Sequence, residues 1–232
     1  MKLAIMQPYF FPYIGYWQLI QAVDRFVIYD DVNYIKGGWI NRNRVLLNSE
    51  PNFITVPLHQ SSSYKHICDI SLQASPDWRD KLLKSIENTY RKSSGFAEAF
   101  PVIENIIRHE ADNLSEYLVY QLQTLATFMG LKTEFVVTSR CYGNNSLSGQ
   151  ARILDICKRE GATSYINPQG GQALYDRAAF SQQGVNLKFL VPAAIEYKQF
   201  GAAYVPWLSI IDVMMFNSTY QLDSLLNQYE LV

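Results

Sequence analysis

Apolar and polar positions follow two different periods along the chain. Leu3-Ala4-Ile5-Met6 is a short unbroken apolar run, stopped by Gln7-Pro8, and reads as a buried strand. Ile14, Trp17, Leu19, Ile20 and Val23 then recur at helical spacing over 13–23, behind Pro12, whose missing N–H suits a first helical turn. Phe26-Val27-Ile28-Tyr29 is a second strand, closed by Asp30-Asp31. Strand, crossover helix and strand together predict parallel pairing.

Residues 32–45 are polar and loop-like around Gly37-Gly38. Val45 to Leu47 and Phe53 to Leu58 suggest a hairpin joined through Asn48-Ser49-Glu50-Pro51-Asn52. Ser75-Pro76 supplies an N-cap and a proline start for a helix carrying Trp78, Leu82, Leu83, Ile86 and Tyr90. Further helices are expected over 96–110 and 113–129, the last stopped by Gly130. Alternation then resumes: strand at 133–138, helix at 150–159, strand at 164–166, helix at 171–182, strand at 187–191. The pattern predicts one open, mostly parallel α/β sheet of Rossmann-like type with a helical insert or subdomain. On this division 1–74 is the N-terminal βαβ part with a recognition loop and 75–130 the helical insert. Residues 131–232 then complete the same α/β domain.

Composition narrows the function classes. A net charge of −1 argues against a nucleic-acid binder, which needs a basic surface to displace counterions. No apolar run approaches the roughly 18 residues of a membrane span, and nothing at the start reads as a signal peptide. Three widely spaced cysteines read as free thiols in a reducing cytoplasm. His59, His66 and His109 offer no ligand spacing with a cysteine, so no metal is expected; no nucleophile–His–acid series can be assembled either. Ten of the 32 aromatic residues fall in the first 39 positions, which directs attention to that segment.

In open α/β sheets ligands bind beyond the carboxyl ends of the strands. Four strand ends here are polar. The first, Gln7-Pro8 to Gly15-Tyr16, offers an aromatic wall (Tyr13, Tyr16) with a polar amide, and Gly15 near a helix start lets an anion approach free N–H groups. Proline-shaped packing is the alternative, above all for Phe10 and Phe11. The second runs from Asp30-Asp31 through Tyr34, Lys36, Trp39, Asn41, Arg42 and Arg44. Adjacent carboxylates repel, which favours one as a proton acceptor, and the cations could clamp phosphate beside a stacking ring. Each Asp could equally cap a turn. The third, Asn167-Pro168-Gln169-Gly170-Gly171, could cradle an anion in backbone N–H groups. The fourth leads from Thr138 to Arg152, a further candidate for the same anion.

Gln7-Pro8-x-Phe10-x-Pro12-x-x-Gly15-Tyr16, the stretch from Asp30 to Arg42, Trp78-Arg79, Leu154 to Cys157, Gly161-Ala162-Thr163 and Pro206 to Asp212 together resemble the WbqC-like family. The resemblance implies a role in bacterial surface-polysaccharide and O-antigen biosynthesis: transfer of an acyl or aminoacyl group onto an amino sugar, nucleotide-linked. ATP or an activated acyl donor would be the co-substrate. Tyr13-Ile14-Gly15-Tyr16 also looks like the His-x-Gly-His turn of nucleotidylyltransferases, implying a fold of that type and leaving nucleotidylyl or adenylyl transfer open. A non-catalytic sugar-nucleotide-binding subunit stays open too. In the first scheme Asp30 or Asp31 acts as base and Tyr16 assists. Gly15, Gly170, Lys36 and Arg42 hold phosphate, while Gln7, Pro8, Tyr13, Tyr34, Trp39, Asn41, Arg152, Asn167 and Gly171 complete the pocket. The apolar stretch Trp207 to Phe216 is core or the interface of a homodimer.

Overall fold

Five parallel strands form the centre of the protein, and all but the edge strand at 134–136 bury side chains on both faces because helices cover both. The computed structural model describes residues 1–47, 50–75, 77–201 and 203–232. The elements in chain order are β1 (Lys2–Met6), α1 (Ile14–Gln21), β2 (Arg25–Ile28), β3 (Arg42–Leu47), β4 (Glu50–Thr55), β5 (Leu58–His59) and β6 (Ser71–Leu72). They continue with α2 (Asp77–Tyr90), α3 (Phe96–Arg108), α4 (Leu114–Phe128), β7 (Glu134–Val136), α5 (Gly149–Arg159) and β8 (Ser164–Pro168). The chain closes with α6 (Arg177–Gln182), β9 (Asn186–Pro192), α7 (Ile210–Phe216), α8 (Thr219–Leu226) and β10 (Tyr229–Leu231).

The main sheet has the order β10-β9-β8-β1-β2-β7. Every neighbouring pair is parallel except β9 with β10. Numbering the parallel strands one to five in chain order gives 3-2-1-4-5, the Rossmann-like arrangement. The order reverses between β1 and β8, so the switch point lies beyond Gln7 and Asn167.

The strand period of two divides the core between the two faces. Ala4, Phe26, Ile28, Ile166 and Leu190 pack on one side with α1, α4 and the C-terminal helices. Leu3, Ile5, Val27, Tyr165, Leu187 and Phe189 pack on the other with Ile153, Ile156 and Cys157 of α5 and Phe180 of α6. The three helices α2 to α4 share the first of these cores.

Several expectations shift in detail. The hairpin partners are β3 and β4, in the register Arg42↔Thr55 to Leu47↔Glu50, so Arg42 lies in a strand and not in a loop. Asn48 and Ser49 of its turn, and Pro76 before α2, lie outside the described residues. Strand β8 runs on through Asn167 and Pro168, and the expected helix over 171–182 is a 3-10 turn at 169–174 followed by the short α6. The small β5–β6 pair and the antiparallel edge strand β10 were not anticipated. Ile210, Ile211, Val213, Met214 and Met215 are buried within their own chain, so that apolar stretch is core. Among the described residues no helix is long and apolar enough to cross a membrane.

Candidate active site

Three chain segments meet where β1 ends. The loop after β1 turns at Phe11, whose φ of +40° is costly for a residue with a Cβ. Three hydrogen bonds hold it there. The Phe11 N–H donates to Gln121 Oε1 (2.9 Å), and its carbonyl accepts from Asn43 Nδ2 (2.7 Å) and Ser209 Oγ (2.8 Å). Pro12 O accepts from Trp17 Nε1 and the Ile210 N–H, while Arg44 O accepts from the Ser209 N–H. These bonds fasten β3 and the start of α7 to the β1 loop. Trp207, with φ +61°, is also strained and sits 64% exposed beside Tyr13, ring centroids 5.8 Å apart.

Two cavities share Tyr13 and Trp207 as a common wall. The larger, about 640 Å³, lies between Tyr13-Ile14 at the start of α1 and the strap 192–197 that follows β9, with Tyr204 on its outer side. The smaller, about 310 Å³, is lined by Tyr9, Pro12, Tyr13, Trp39, Asn43, Arg44 and Trp207. The Arg44 guanidinium lies over the Trp39 ring at 5.6 Å. Burial pushes the Tyr9 and Tyr13 hydroxyls above the ordinary phenol value, so both stay protonated donors at neutral pH. Neither lining contains a serine, cysteine or histidine.

The strap is latched from beneath by Asp212 of α7, which is fully buried. Its carboxylate accepts from Tyr90 Oη (2.7 Å), Tyr197 Oη (2.7 Å) and Gln199 Nε2 (2.8 Å). Burial raises its pKa, while the bonds from Tyr197, Tyr90 and Gln199 pull it back down. Gln199 also exchanges hydrogen bonds with Val205, and the Ala193 N–H donates to Gln228 O.

The residues expected from the sequence divide into separate groups. Tyr13 and Trp39 line the cleft. Tyr16 does not: it is 2% exposed, donates to Gln7 O (2.8 Å), and burial drives its pKa far up, so it is a core residue. Gly15 serves its own chain rather than an anion, because a Cβ there would stand 2.4 Å from the Tyr13 ring. Tyr34 donates to Asn41 Oδ1 (2.7 Å) and Asn41 Nδ2 donates to Val56 O, which makes both of them braces of the loop. Arg42 spends its fork on the Gly38 and Gly37 carbonyls and lies over Phe53, so it is not a free clamp. Pro8 is buried, and Gln7 is half-buried; Lys36 stands exposed on the loop away from both linings.

The paired carboxylates form a buried network of their own. Asp30 is fully buried and accepts from Ser115 Oγ (2.8 Å), Thr138 Oγ1 (2.8 Å) and the Ser139 N–H (3.1 Å). Asp31 accepts from Ser139 Oγ and pairs with Arg152 Nη2 at 2.6 Å. Arg152 is 3% exposed, donates to Asn144, and lies over the Tyr29 ring, so it is not available to an outside anion. With their oxygens engaged by these donors, Asp30 and Asp31 buttress β2 against β7 and α5. A separate cavity of about 390 Å³ reaches Asp30, Thr138 and Arg140 at these strand ends. At β8, Asn167 Nδ2 donates to Tyr165 Oη and its Oδ1 fills the space over Gly171, while Gly170 faces open space; no cradle forms.

Sequence reasoning missed Arg44 as a lining residue in its own right, along with Tyr197, Tyr204, Trp207 and Asp212. The signal was present in Glu196-Tyr197 and Tyr204, an aromatic polar stretch directly after a strand, the same kind of signal used at β1. It also missed that His66, Cys68 and Asp69 bring their ligand atoms within 4.8 Å of one another on one 3-10 turn. None of the three lines either cavity of the cleft.

A 3-2-1-4-5 parallel sheet with an aromatic cleft beyond its carboxyl edge defines a Rossmann-like α/β protein. The chain belongs to the WbqC-like protein family, whose profile matches residues 7–224. It is similar to the uncharacterized protein Rv1507c of Mycobacterium tuberculosis (strain ATCC 25618 / H37Rv), 27% identical over 219 residues, 93% of each chain. No solved structure matches it.

Proposed function

We propose that the protein is a transferase that joins an acyl or aminoacyl group to an amino sugar, nucleotide-linked, in bacterial surface-polysaccharide biosynthesis. The double cavity beside Tyr13 and Trp207 carries this proposal. Its larger part has the volume of a nucleotide-sugar site and aromatic walls for a base or sugar ring. Membership of the WbqC-like family supports a biosynthetic role, and the polysaccharide setting is what the resemblance implies. Among the described residues the linings hold no serine, cysteine or histidine, which favours direct attack of the amine: the amide C–N bond forms as the C–S bond of a thioester, or the C–O bond of an acyl phosphate made with ATP, breaks, and the amine proton leaves to solvent. The activated donor is an acyl thioester or a carboxylate with ATP. Burial of Tyr16 removes the second arm of the Tyr-x-Gly-Tyr turn and disfavours adenylyl transfer as the main reaction.

Thermal-shift screening against nucleotide amino sugars, followed by mass spectrometry after adding acyl donors, tests it. A raised melting temperature together with a product of amide mass is expected. Binding with no product from any donor would identify a sugar-nucleotide-binding subunit instead, and no binding would end the proposal.

A further inference from the structure

Arg44 is poorly explained by the fold alone. Its Nε is buried and has no hydrogen-bond partner among the described residues. No carboxylate there forms an ion pair with it. Arg42, two residues earlier on the same strand face, by contrast places Nε and Nη2 on carbonyls of its own loop. A guanidinium kept part-buried against aromatic rings without a partner loses hydration and gains little in return. It regains that loss when a ligand anion arrives.

We infer that the smaller cavity is a site for an organic carboxylate, with Arg44 anchoring the carboxylate and Trp39, Tyr13 and Trp207 enclosing an apolar body. Three observations select this chemistry. Arg44 is the only cation in the lining, and its planar fork matches the two oxygens of a carboxylate. Asn43 has no free donor to add, since Nδ2 is committed to Phe10 O and Phe11 O, so one guanidinium with the neutral Tyr9 and Tyr13 hydroxyls beside it suits a singly charged anion better than a phosphate ester. The volume, about 310 Å³, suits a small acid and not a nucleotide. Resting on the transferase reading above, in its form with ATP as activator and not a thioester, the site would hold the acid before its activation, beside the sugar nucleotide in the larger cavity, across the Tyr13–Trp207 pair.

The test uses the full chain and its tryptophan fluorescence, because Trp39 and Trp207 are the exposed indoles of this lining while Trp17 is fully buried. Benzoate, its neutral isostere benzamide, and inorganic phosphate are titrated in turn. Benzoate is expected to quench saturably, with benzamide about tenfold weaker or worse, the usual reach of a charge-assisted hydrogen bond. Arg44→Gln should weaken benzoate by about tenfold or more while leaving benzamide and the melting temperature in place, and Arg44→Lys should fall between. Equal binding of benzoate and benzamide would overturn the inference, as would benzoate binding that ignores Arg44→Gln. Phosphate competing as well as benzoate would make this a phosphate site and overturn it too. If nucleotide amino sugars fail to bind while benzoate behaves as expected, the transferase reading falls and the carboxylate site stands.

Discussion

Replacing Asp31 by Asn separates the catalytic and structural roles that its position could support. The side chain keeps its volume but loses its charge, and Arg152 remains 3% exposed with the pairing oxygen gone. Removing one partner of a buried pair leaves an uncompensated charge, at a cost of ~3–5 kcal/mol. Domains of ordinary stability have ~5–15 kcal/mol in total. For a chain of this size each kcal/mol moves Tm by about 2–4 °C, so the drop should be roughly 6–20 °C. Asp30→Asn should cost less, ~1–3 kcal/mol, because it turns one acceptor oxygen into a donor facing Ser115, or Thr138 and Ser139.

The compensating change is Arg152→Met, which removes the stranded charge. The pair Asp31→Asn with Arg152→Met should recover much of the loss, a non-additive result expected only for groups in contact. Urea titration reads both, through a lower midpoint at unchanged slope. Ligand binding measured in the cold, with the variant still folded, should stay near that of the unmodified chain. A variant that keeps its Tm but loses turnover would refute the buttress assignment and restore Asp31 as a chemical group.

Two other perturbations probe the cleft. Gly15→Ala drives a Cβ to 2.4 Å from the Tyr13 ring, so the ring must withdraw by about 1 Å to reach ordinary contact. Alanine in a helix is itself favoured over glycine by roughly 0.5–1 kcal/mol, so Tm should hold or rise while Trp207 fluorescence and ligand affinity shift. Unchanged affinity would show that the Tyr13 ring does not shape the site. Asp212 predicts a pH dependence. Its folded pKa lies above the unfolded one, so its contribution to stability is complete below the ordinary carboxylate range and is lost as pH rises through the folded value. Asp212→Asn should flatten that part of a stability–pH profile, and an unchanged profile would assign the slope to another group.

Much of the fold was legible because strand ends and helix starts carry local signals. Leu3 to Met6, Phe26 to Tyr29 and the helical spacing of α1 and α2 needed no tertiary information, and the parallel sheet followed from their alternation. Boundaries were less secure where residues have mixed preferences: Asn167-Pro168 reads as a turn, yet continues β8 because Phe189 and Leu190 of β9 pair with it. Strand β10 is three residues long and polar in part, too weak to register by pattern. For the site, the rule that ligands gather beyond strand ends found the right edge of the sheet but not the partition along it. Asp30-Asp31 and Gln7 to Tyr16 end neighbouring strands and carry equally functional residue types. Only the contacts of Ser115, Thr138, Ser139 and Arg152 show that the carboxylates are consumed internally.

The same difficulty explains why Arg42 looked like the clamp and Arg44 did not. Both lie on β3 two residues apart, so by strand period they share a face, and both have an aromatic residue to stack on. What separates them is the return path of the loop 34–41. It brings the carbonyls of Gly37 and Gly38 within reach of the first guanidinium and leaves the second with only the Trp39 ring. Loop geometry of this kind depends on Tyr34 and Asn41 bracing each other and on Asn43 holding Phe11 in its strained turn. A residue 163 positions further on, Trp207, then closes the cavity over Arg44. Unsatisfied donors add a second guide here: Trp78 Nε1, Tyr117 Oη and Arg44 Nε are all buried without a partner among the described residues, and of these Arg44 alone lines the cleft.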